Sequence, residues 1–318
     1  MTVTVVIATA YRSRELANCL KALLAGSRPP NEIVIVDGAT DKTAEAVIAA
    51  YSTPHVPIRY RRHAPPSAAI QRNVGAQMVS SDLILFLDDD AYLEMDTLDN
   101  LAKIFERDRE LRVGGAGVII RNQLCAPPSR LAKWWLDRLS DSFEEDYSGR
   151  IVGPAIPIGP SPSPEDVVKR VEWLNAGCTM YRREAFPDEG FPSSFSGYSY
   201  MEDVDLSLRV GKAWTLVVHT GAFMFHDTRP SRFKAPYRRA KMSVTNRYYV
   251  MTCTLARRTW SYHVRFVLSA LVDRVNGMRS VRTIHDLRDY VLGVAGTVVG
   301  LASVAAGQAN PQSARRPS

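Results

Sequence analysis

Two runs of β-branched and aliphatic residues, Val3–Ala8 and Ile33–Val36, flank a segment in which Leu16, Leu20, Leu23 and Leu24 fall at helical spacing. A run with no polar face must be covered on both sides, as a strand inside a parallel sheet is. Strand, helix and strand within about forty residues make a βαβ crossover, and that unit commits the chain to an α/β architecture. The alternation then repeats. A helix is predicted over Thr43–Ala50, a short strand over Ile58–Arg61, a helix over Ala69–Val79 and a buried strand over Leu83–Leu87. A helix around Met95–Glu106 and a strand at Gly115–Ile120 follow. The first half therefore reads as a doubly wound, mostly parallel sheet flanked by helices.

The remainder is less regular. Ile151–Pro164 is rich in Pro, Gly and Ser and reads as a loop without regular structure, of the kind that serves as a lid or binding loop. Trp173–Tyr181, Trp214–Val218 and Ala222–Phe225 look like further strands, with a helix over Glu202–Gly211. From Ala235 onward the pattern changes to basic helices. Val264, Val267, Leu268, Leu271, Val272 and Val275 form an apolar stripe with Arg265 and Arg274 off it, which reads as a packing face.

Charge divides at the same place. Residues 1–227 carry 24 Lys/Arg against 30 Asp/Glu, while 228–318 carry 16 against 3, which together give the net +7. So basic a C-terminal region suits an anionic partner such as lipid headgroups, nucleic acid or a pyrophosphate. Its aromatics (Tyr248, Tyr249, Trp260) are few, and no nucleic-acid role is expected. Tyr290–Ala309 holds about twenty uncharged residues, near the length that crosses hydrocarbon, with Gly296 and Gly300 at a spacing that lets membrane helices pack closely. A membrane-associated segment, an ordinary packing helix and a disordered end all remain open. A set of several membrane helices, as processive export would need, is not seen. Cys19, Cys125, Cys178 and Cys253 are scattered without a C-x-x-C pair, so a disulfide framework or structural zinc is poorly supported and a reducing cytosol suits the chain. No basic-then-apolar leader precedes the first strand.

Four short motifs carry chemistry. Leu87-Asp88-Asp89-Asp90 follows an apolar strand. Three adjacent carboxylates repel unless a cation or basic group offsets them, and the carboxyl end of a parallel strand is where ligands bind. Hard oxygen ligands favour Mg2+ or Mn2+; a solvated acidic turn capping the next helix is the alternative. Val36-Asp37-Gly38-Ala39-Thr40-Asp41 also ends a strand, and its carboxylate either accepts hydrogen bonds from a base or ribose or simply shapes the turn. In Gln71-Arg72-Asn73-Val74-Gly75-Ala76, Arg72 can meet a diphosphate or pin the acidic cluster, and Gly75 permits close packing on the sheet. Tyr200-Met201-Glu202-Asp203-Val204-Asp205 opens a helix with the paired carboxylates a general base needs. A helix dipole also favours acids there.

In order, these motifs resemble the family 2 glycosyltransferases, inverting enzymes of GT-A fold. The resemblance runs from Val3 to about His226 and includes Asn175-Ala176-Gly177, Arg182–Phe186 and the later histidine. It implies a GT-A domain over 1–227, with a nucleotide-binding half (1–120) and an acceptor-binding half (121–227), and a basic helical region over 228–318. The implied substrates are a nucleotide-sugar donor, UDP before dTDP, and a carbohydrate or lipid-linked acceptor. Asp37, Thr9 and Tyr11 would line the base pocket, and Arg72, Asp88 and Asp89 would lie along the donor. Asp90, Asp88 and His226 would hold Mn2+ or Mg2+. Asp203 would be the base with Glu202 beside it, acting by direct displacement without a covalent intermediate. The opening motif departs from the family's usual T-Y-N-R: here it reads Thr9-Ala10-Tyr11-Arg12. Read from the residues alone, His226 can equally be structural, and Trp134, Trp135 and Trp173 can stack on sugars or fill the core.

Two rival functions fit less well. A sugar-nucleotide nucleotidyltransferase would show a glycine-rich loop after the first strand, and Thr9–Arg14 contains no glycine. A non-catalytic binding module would not need both the acidic triplet and Asp203. The setting expected is cytoplasmic, with 228–318 at an anionic membrane surface.

Overall fold

The computed structural model describes residues 1–110, 112–124, 129–162, 167–193, 195, 199–227, 235–279 and 281–307. In chain order the strands are β1 (Val3–Thr9), β2 (Glu32–Asp37), β3 (Ile58–Arg62), β4 (Leu83–Asp88), β5 (Ala91–Leu93), β6 (Val113–Ile120), β7 (Ile151–Val152), β8 (Ile156–Pro157), β9 (Val168–Val171), β10 (Cys178–Arg182) and β11 (Thr215–His226). The α-helices are α1 (Ser13–Leu24), α2 (Thr43–Tyr51), α3 (Ala68–Gln77), α4 (Thr97–Arg107), α5 (Arg130–Leu139), α6 (Glu202–Val210), α7 (Pro236–Tyr249), α8 (Trp260–Met278) and α9 (Ile284–Ala305). They fall into two compact units. The first holds 1–127, 148–150 and 159–229; the second holds 128–147, 151–158 and 230–318.

The first unit is built on one sheet in the order β3-β2-β1-β4-β10-β6-β11-β5, with β9 also pairing β11, along the edge opposite β6. Strands β1, β2, β3, β4, β6 and β11 run one way, and β5, β9 and β10 run against them. Alternation along β1 divides two cores. Val3, Val5 and Ile7 pack with Leu16, Leu20 and Phe105, and Val6 packs on the opposite face with Val34, Phe86 and Leu206. Each such fully buried aliphatic or aromatic side chain contributes about 1.5–3 kcal/mol. On the second face α3 lies close to β1, because a Cβ at Gly75 would stand 2.3 Å from Val6 Cγ1.

Several details differ from the sequence expectation. Strand β5 falls within what reads as the run-in to α4. Of the strand expected over Trp173–Tyr181 only the end is strand, in β10, and β9 precedes the expected span; the Asn175 side chain accepts the Gly177 N–H at 2.7 Å, a local bond that competes with the sheet ladder. The strands expected at Trp214–Val218 and Ala222–Phe225 are one, β11, interrupted by a register shift between His219 and Phe223. The segment read as an unstructured loop contains the small antiparallel pair β7–β8, with Ile151 opposite Pro157; residues 163 and 164 of that loop lie outside the described residues.

In the second unit α7 continues as a π-helical turn over Val250–Thr254. Helix α9 starts in a capping box between Thr283 and Asp286. Among the described residues it is the one helix long and apolar enough to cross a membrane by length and composition, with mean hydropathy 1.3. Its glycine face lies on α7. A Cβ at Gly296 would stand 2.2 Å from the Tyr237 carbonyl oxygen, and one at Gly300 would stand 2.9 Å from Val244 Cβ. The small-residue spacing is thus used for close packing inside the chain. The α8 stripe, read as a packing face, points outward: Val264, Val267, Leu268, Leu271 and Val275 are exposed, while Phe266, Ser269 and Ala270 are buried. The packed side is mixed: Phe266 lies under the Arg247 guanidinium of α7, 5.1 Å from its carbon, and Arg247 pairs with Asp273 at 3.0 Å and Ser269 at 2.9 Å.

Candidate active site

Thr9, Asp37, Asp88 and His226 are the last residues of β1, β2, β4 and β11, four strands that run in the same direction. Sheet geometry alone brings them to one edge, the edge at which open α/β sheets bind ligands. Register fixes the near neighbours, with Thr9 opposite Asp37 and Ala8 opposite Asp88. Strands β10 and β6 separate β4 from β11. The acidic triplet crosses that gap: the turn at Asp89–Asp90 leaves β4 and enters β5, which pairs with the end of β11 so that Ala91 faces His226. Asp90 and His226 meet for that reason, 136 residues apart in sequence, with His226 Nε2 3.2 Å from Asp90 Oδ1.

Asp88, Asp90 and His226 each present one ligand atom, all within 4.8 Å of one another. Two carboxylate oxygens and an imidazole nitrogen at that spacing fit a divalent cation such as Mn2+ or Mg2+. The imidazole is set from behind. Asn122 donates to the His226 carbonyl at 2.8 Å and accepts its N–H at 3.0 Å, and Gln123 Nε2 lies 3.4 Å from Nδ1. A second ring nitrogen engaged in this way orients a ligating histidine. Asn122 and Gln123 escaped the sequence reading; their one signal is position, directly after the end of β6.

Arg12 also escaped it. Its guanidinium donates to Asp89 at 2.6 Å and to Asp90 at 2.7 Å, offsetting two of the three carboxylates, and Thr9 donates to Asp89 at 2.7 Å. Burial pushes Asp89 up to about 7 even with Arg12 attached. Burial acts on Asp90 in the same sense, but the His226 contact and the Arg12 charge outweigh it and hold Asp90 below the ordinary carboxylate range.

On the neighbouring strand Asp37 is fully buried, accepting the Ala39 N–H at 2.8 Å and the Tyr60 hydroxyl at 3.1 Å. Gln71 donates to the carbonyls of Thr9 and Val36, both at 2.8 Å, stitching the ends of β1 and β2 together. Tyr11 is exposed at a positive φ of 57°, with its hydroxyl 3.1 Å from Thr40 Oγ1.

The opposing wall comes from α6. Met201, at φ 75°, turns the chain into the helix, so that Glu202 and Asp203 open it with different surroundings. Glu202 is buried and accepts from Arg72 at 3.0 Å; the other arm of Arg72 donates to Asp88 at 2.6 Å. Burial and the neighbouring Asp203 charge push Glu202 up to about 8. Asp203 is only partly buried and accepts the Val204 N–H at 2.8 Å and the Ala176 N–H at 3.4 Å; burial raises its carboxyl too. Arg72 is held under this pair by the Phe191 ring, 5.3 Å from its guanidinium carbon. Of the two acids Asp203 is the more exposed, while Glu202 pairs with buried Arg72, whose other arm reaches the partly exposed Asp88 at the end of β4.

None of the three tryptophans is fully buried. Trp134, which is exposed, and Trp135 lie edge to face on α5 in the second unit, 5.0 Å apart, and Trp173 is partly buried in the first.

Residues 4–147 match the model of Glycosyl transferase family 2. No curated protein matches the sequence. Among solved structures the chain is similar to S. aureus TarS 1–349, at 13% identity over 97% of this chain and 83% of that one, with a TM-score of 0.54. It is similar also to the mannosyltransferase PcManGT from Pyrobaculum calidifontis in complex with GDP-Man and Mn2+, at 15% identity over 96% and 79% of the two chains and a TM-score of 0.56. GalNAc-T7 with UDP, GalNAc and Mn2+ matches at 13% identity over 77% of this chain and 51% of that one, with a TM-score of 0.52. At these identities the structural likenesses establish the fold.

Proposed function

We infer that this chain, with its family 2 glycosyltransferase region at residues 4–147, moves a glycosyl group from a nucleoside-diphosphate sugar to an acceptor hydroxyl with inversion. The observation that carries the reading is the convergence of Asp88, Asp90 and His226 into one cation-sized group, with the partly exposed Asp203 on the facing helix. Asp37, Thr9 and Tyr11 would receive the base, and Arg72, Asp88 and Asp89 would border the rest of the donor. Asp88, Asp90 and His226 would hold Mn2+ or Mg2+, which when bound supplies positive charge to a departing diphosphate.

The chemistry assigned to the chain's own residues is short. Asp203 accepts the proton of the acceptor hydroxyl, and the acceptor oxygen bonds to the anomeric carbon as the bond from that carbon to the diphosphate oxygen breaks. Burial favours this role, because a carboxylate pushed upward is a stronger base. Glu202, tied to Arg72, positions the start of α6 and does not itself meet the acceptor. UDP is the donor nucleotide proposed first, with dTDP and GDP as rivals; TarS 1–349 has been seen with UDP-GlcNAc and PcManGT with GDP-Man. The acceptor class proposed is a carbohydrate or a lipid-linked carbohydrate. A cytoplasmic setting fits Cys19, Cys178 and Cys253, all free thiols.

The test is thermal-shift binding of UDP, dTDP and GDP, with and without Mn2+, on the wild type and Asp90→Ala. A specifically bound nucleotide raises the melting temperature by mass action. A shift that needs both Mn2+ and Asp90 supports the reading and names the donor class. A folded wild type that no nucleotide stabilises under any metal condition overturns it.

A further inference from the structure

Helix α8 leaves its longer apolar stripe on the exposed side. On a helical projection, Trp260, Val264, Val267, Leu268, Leu271 and Val275 share one face, and that face is the exposed one: Trp260 is 80% exposed, Leu271 51% and Val275 58%. The opposite face, with Phe266, Ser269 and Asp273, is the one packed against Arg247 of α7. Helix α9 repeats the arrangement. Gly296 and Gly300 lie on α7, while Ile284, Leu287, Val291 and Val298, on the far side, are exposed. Two helices of one unit thus each carry a water-facing apolar stripe, and an unpartnered apolar stripe marks an interaction site.

Charge identifies the partner. Residues 257–305, which hold α8 and α9, carry seven arginines against three aspartates. Exposed arginines stand at both ends of the α8 stripe, Arg258 before Trp260 and Arg279 and Arg282 after Met278, and Arg288 is exposed on α9. A second copy of this surface would bring like charges together as the apolar faces met. An apolar face rimmed by arginine, with a tryptophan at its edge, instead matches the boundary between acyl chains and anionic headgroups, where tryptophan rings and arginine side chains both sit at the interface. We propose that the exposed faces of α8 and α9 dock this chain on an anionic lipid bilayer, with the apolar stripes entering the interface and the arginines meeting the headgroups. The surface lies in the second unit and is independent of the glycosyl-transfer reading, so either can fail alone.

The test is co-sedimentation of the full chain with phosphatidylcholine vesicles, with and without phosphatidylglycerol, at low and high salt. The expected result is sedimentation with the phosphatidylglycerol vesicles that weakens as salt rises. Leu268→Glu/Leu271→Glu, at exposed positions, should reduce it by about tenfold or more. Arg258→Gln/Arg279→Gln/Arg282→Gln, which leaves the stripe intact, should abolish the preference for phosphatidylglycerol. Circular dichroism and the nucleotide thermal shift establish that each variant is folded and separate this surface from the donor site. Three outcomes overturn the proposal: a folded wild type that stays in the supernatant at low salt, sedimentation unchanged by Leu268→Glu/Leu271→Glu, or a wild-type dimer in analytical ultracentrifugation that this substitution disperses while vesicles bind neither protein.

Discussion

Arg72→Met removes the guanidinium from between Asp88 and Glu202 while leaving an unbranched side chain over Phe191. Arg72 and Glu202 are 5% and 9% exposed at their side chains, so water cannot replace the lost partner. Truncating one member of a buried ion pair costs about 3–5 kcal/mol. The low end applies here, because burial pushes Glu202 up to about 8 even beside Arg72, so near neutral pH the acid is already largely protonated and little charge is stranded when Arg72 is removed. At about 2–4 °C per kcal/mol for a unit of this size, the first unit should melt about 6–12 °C earlier. The decisive measurement is the double-mutant cycle. With Glu202→Gln also present, the buried group is a neutral amide that no longer requires Arg72, so the double variant should be more stable than the sum of the singles by about 0.5–3 kcal/mol. Thermal or denaturant unfolding of the four proteins reads this directly. Additive effects would show that Arg72 and Glu202 do not act as a unit, and the account of Arg72 linking β4 to α6 would fall with them.

Asp203→Asn should lower kcat by about 10²–10⁴-fold while leaving the Mn2+-dependent nucleotide thermal shift in place; loss of nucleotide binding instead would place Asp203 in the donor site. Arg12→Gln exposes the charge repulsion among Asp88, Asp89 and Asp90, so its melting temperature should fall without cation and recover with Mn2+ more than the wild type gains; equal gains would refute the view that guanidinium and cation offset the same charge. Asp89 and Glu202 have folded-state values raised to about 7 and about 8 from 3.8 and 4.5. Between the unfolded and folded values the native state binds more protons, so without cation stability should fall as pH rises from about 4 to 8. A cation-free stability that rises through that window would contradict the burial argument for both groups.

Local patterning alone settles the sheet and the places where chemistry gathers. Apolar runs such as Val3–Ala8 and Leu83–Leu87 cannot face water, so they had to become covered strands. Once these strands are parallel, Thr9, Asp37 and Asp88 must emerge at one edge, since each ends its run. Periodicity could not supply what depends on partners far along the chain. Arg12 reads as an unremarkable residue opening a helix until the turn at Asp89–Asp90 is folded beneath it. Glu202 and Asp203 are chemically alike and adjacent; only tertiary packing buries one against Arg72 and leaves the other partly open. Asn122 and Gln123 matter because β11 ends beside them, and β11 was legible in sequence only as two fragments. The α8 stripe is the sharpest case. A helix with one apolar stripe is expected to bury it, but the sequence of α8 does not contain α7, whose Arg247 engages Phe266, Ser269 and Asp273 on the other side of α8. Local residues set which elements form and which faces are apolar; which face turns inward depends on the side chains of a neighbour distant in sequence.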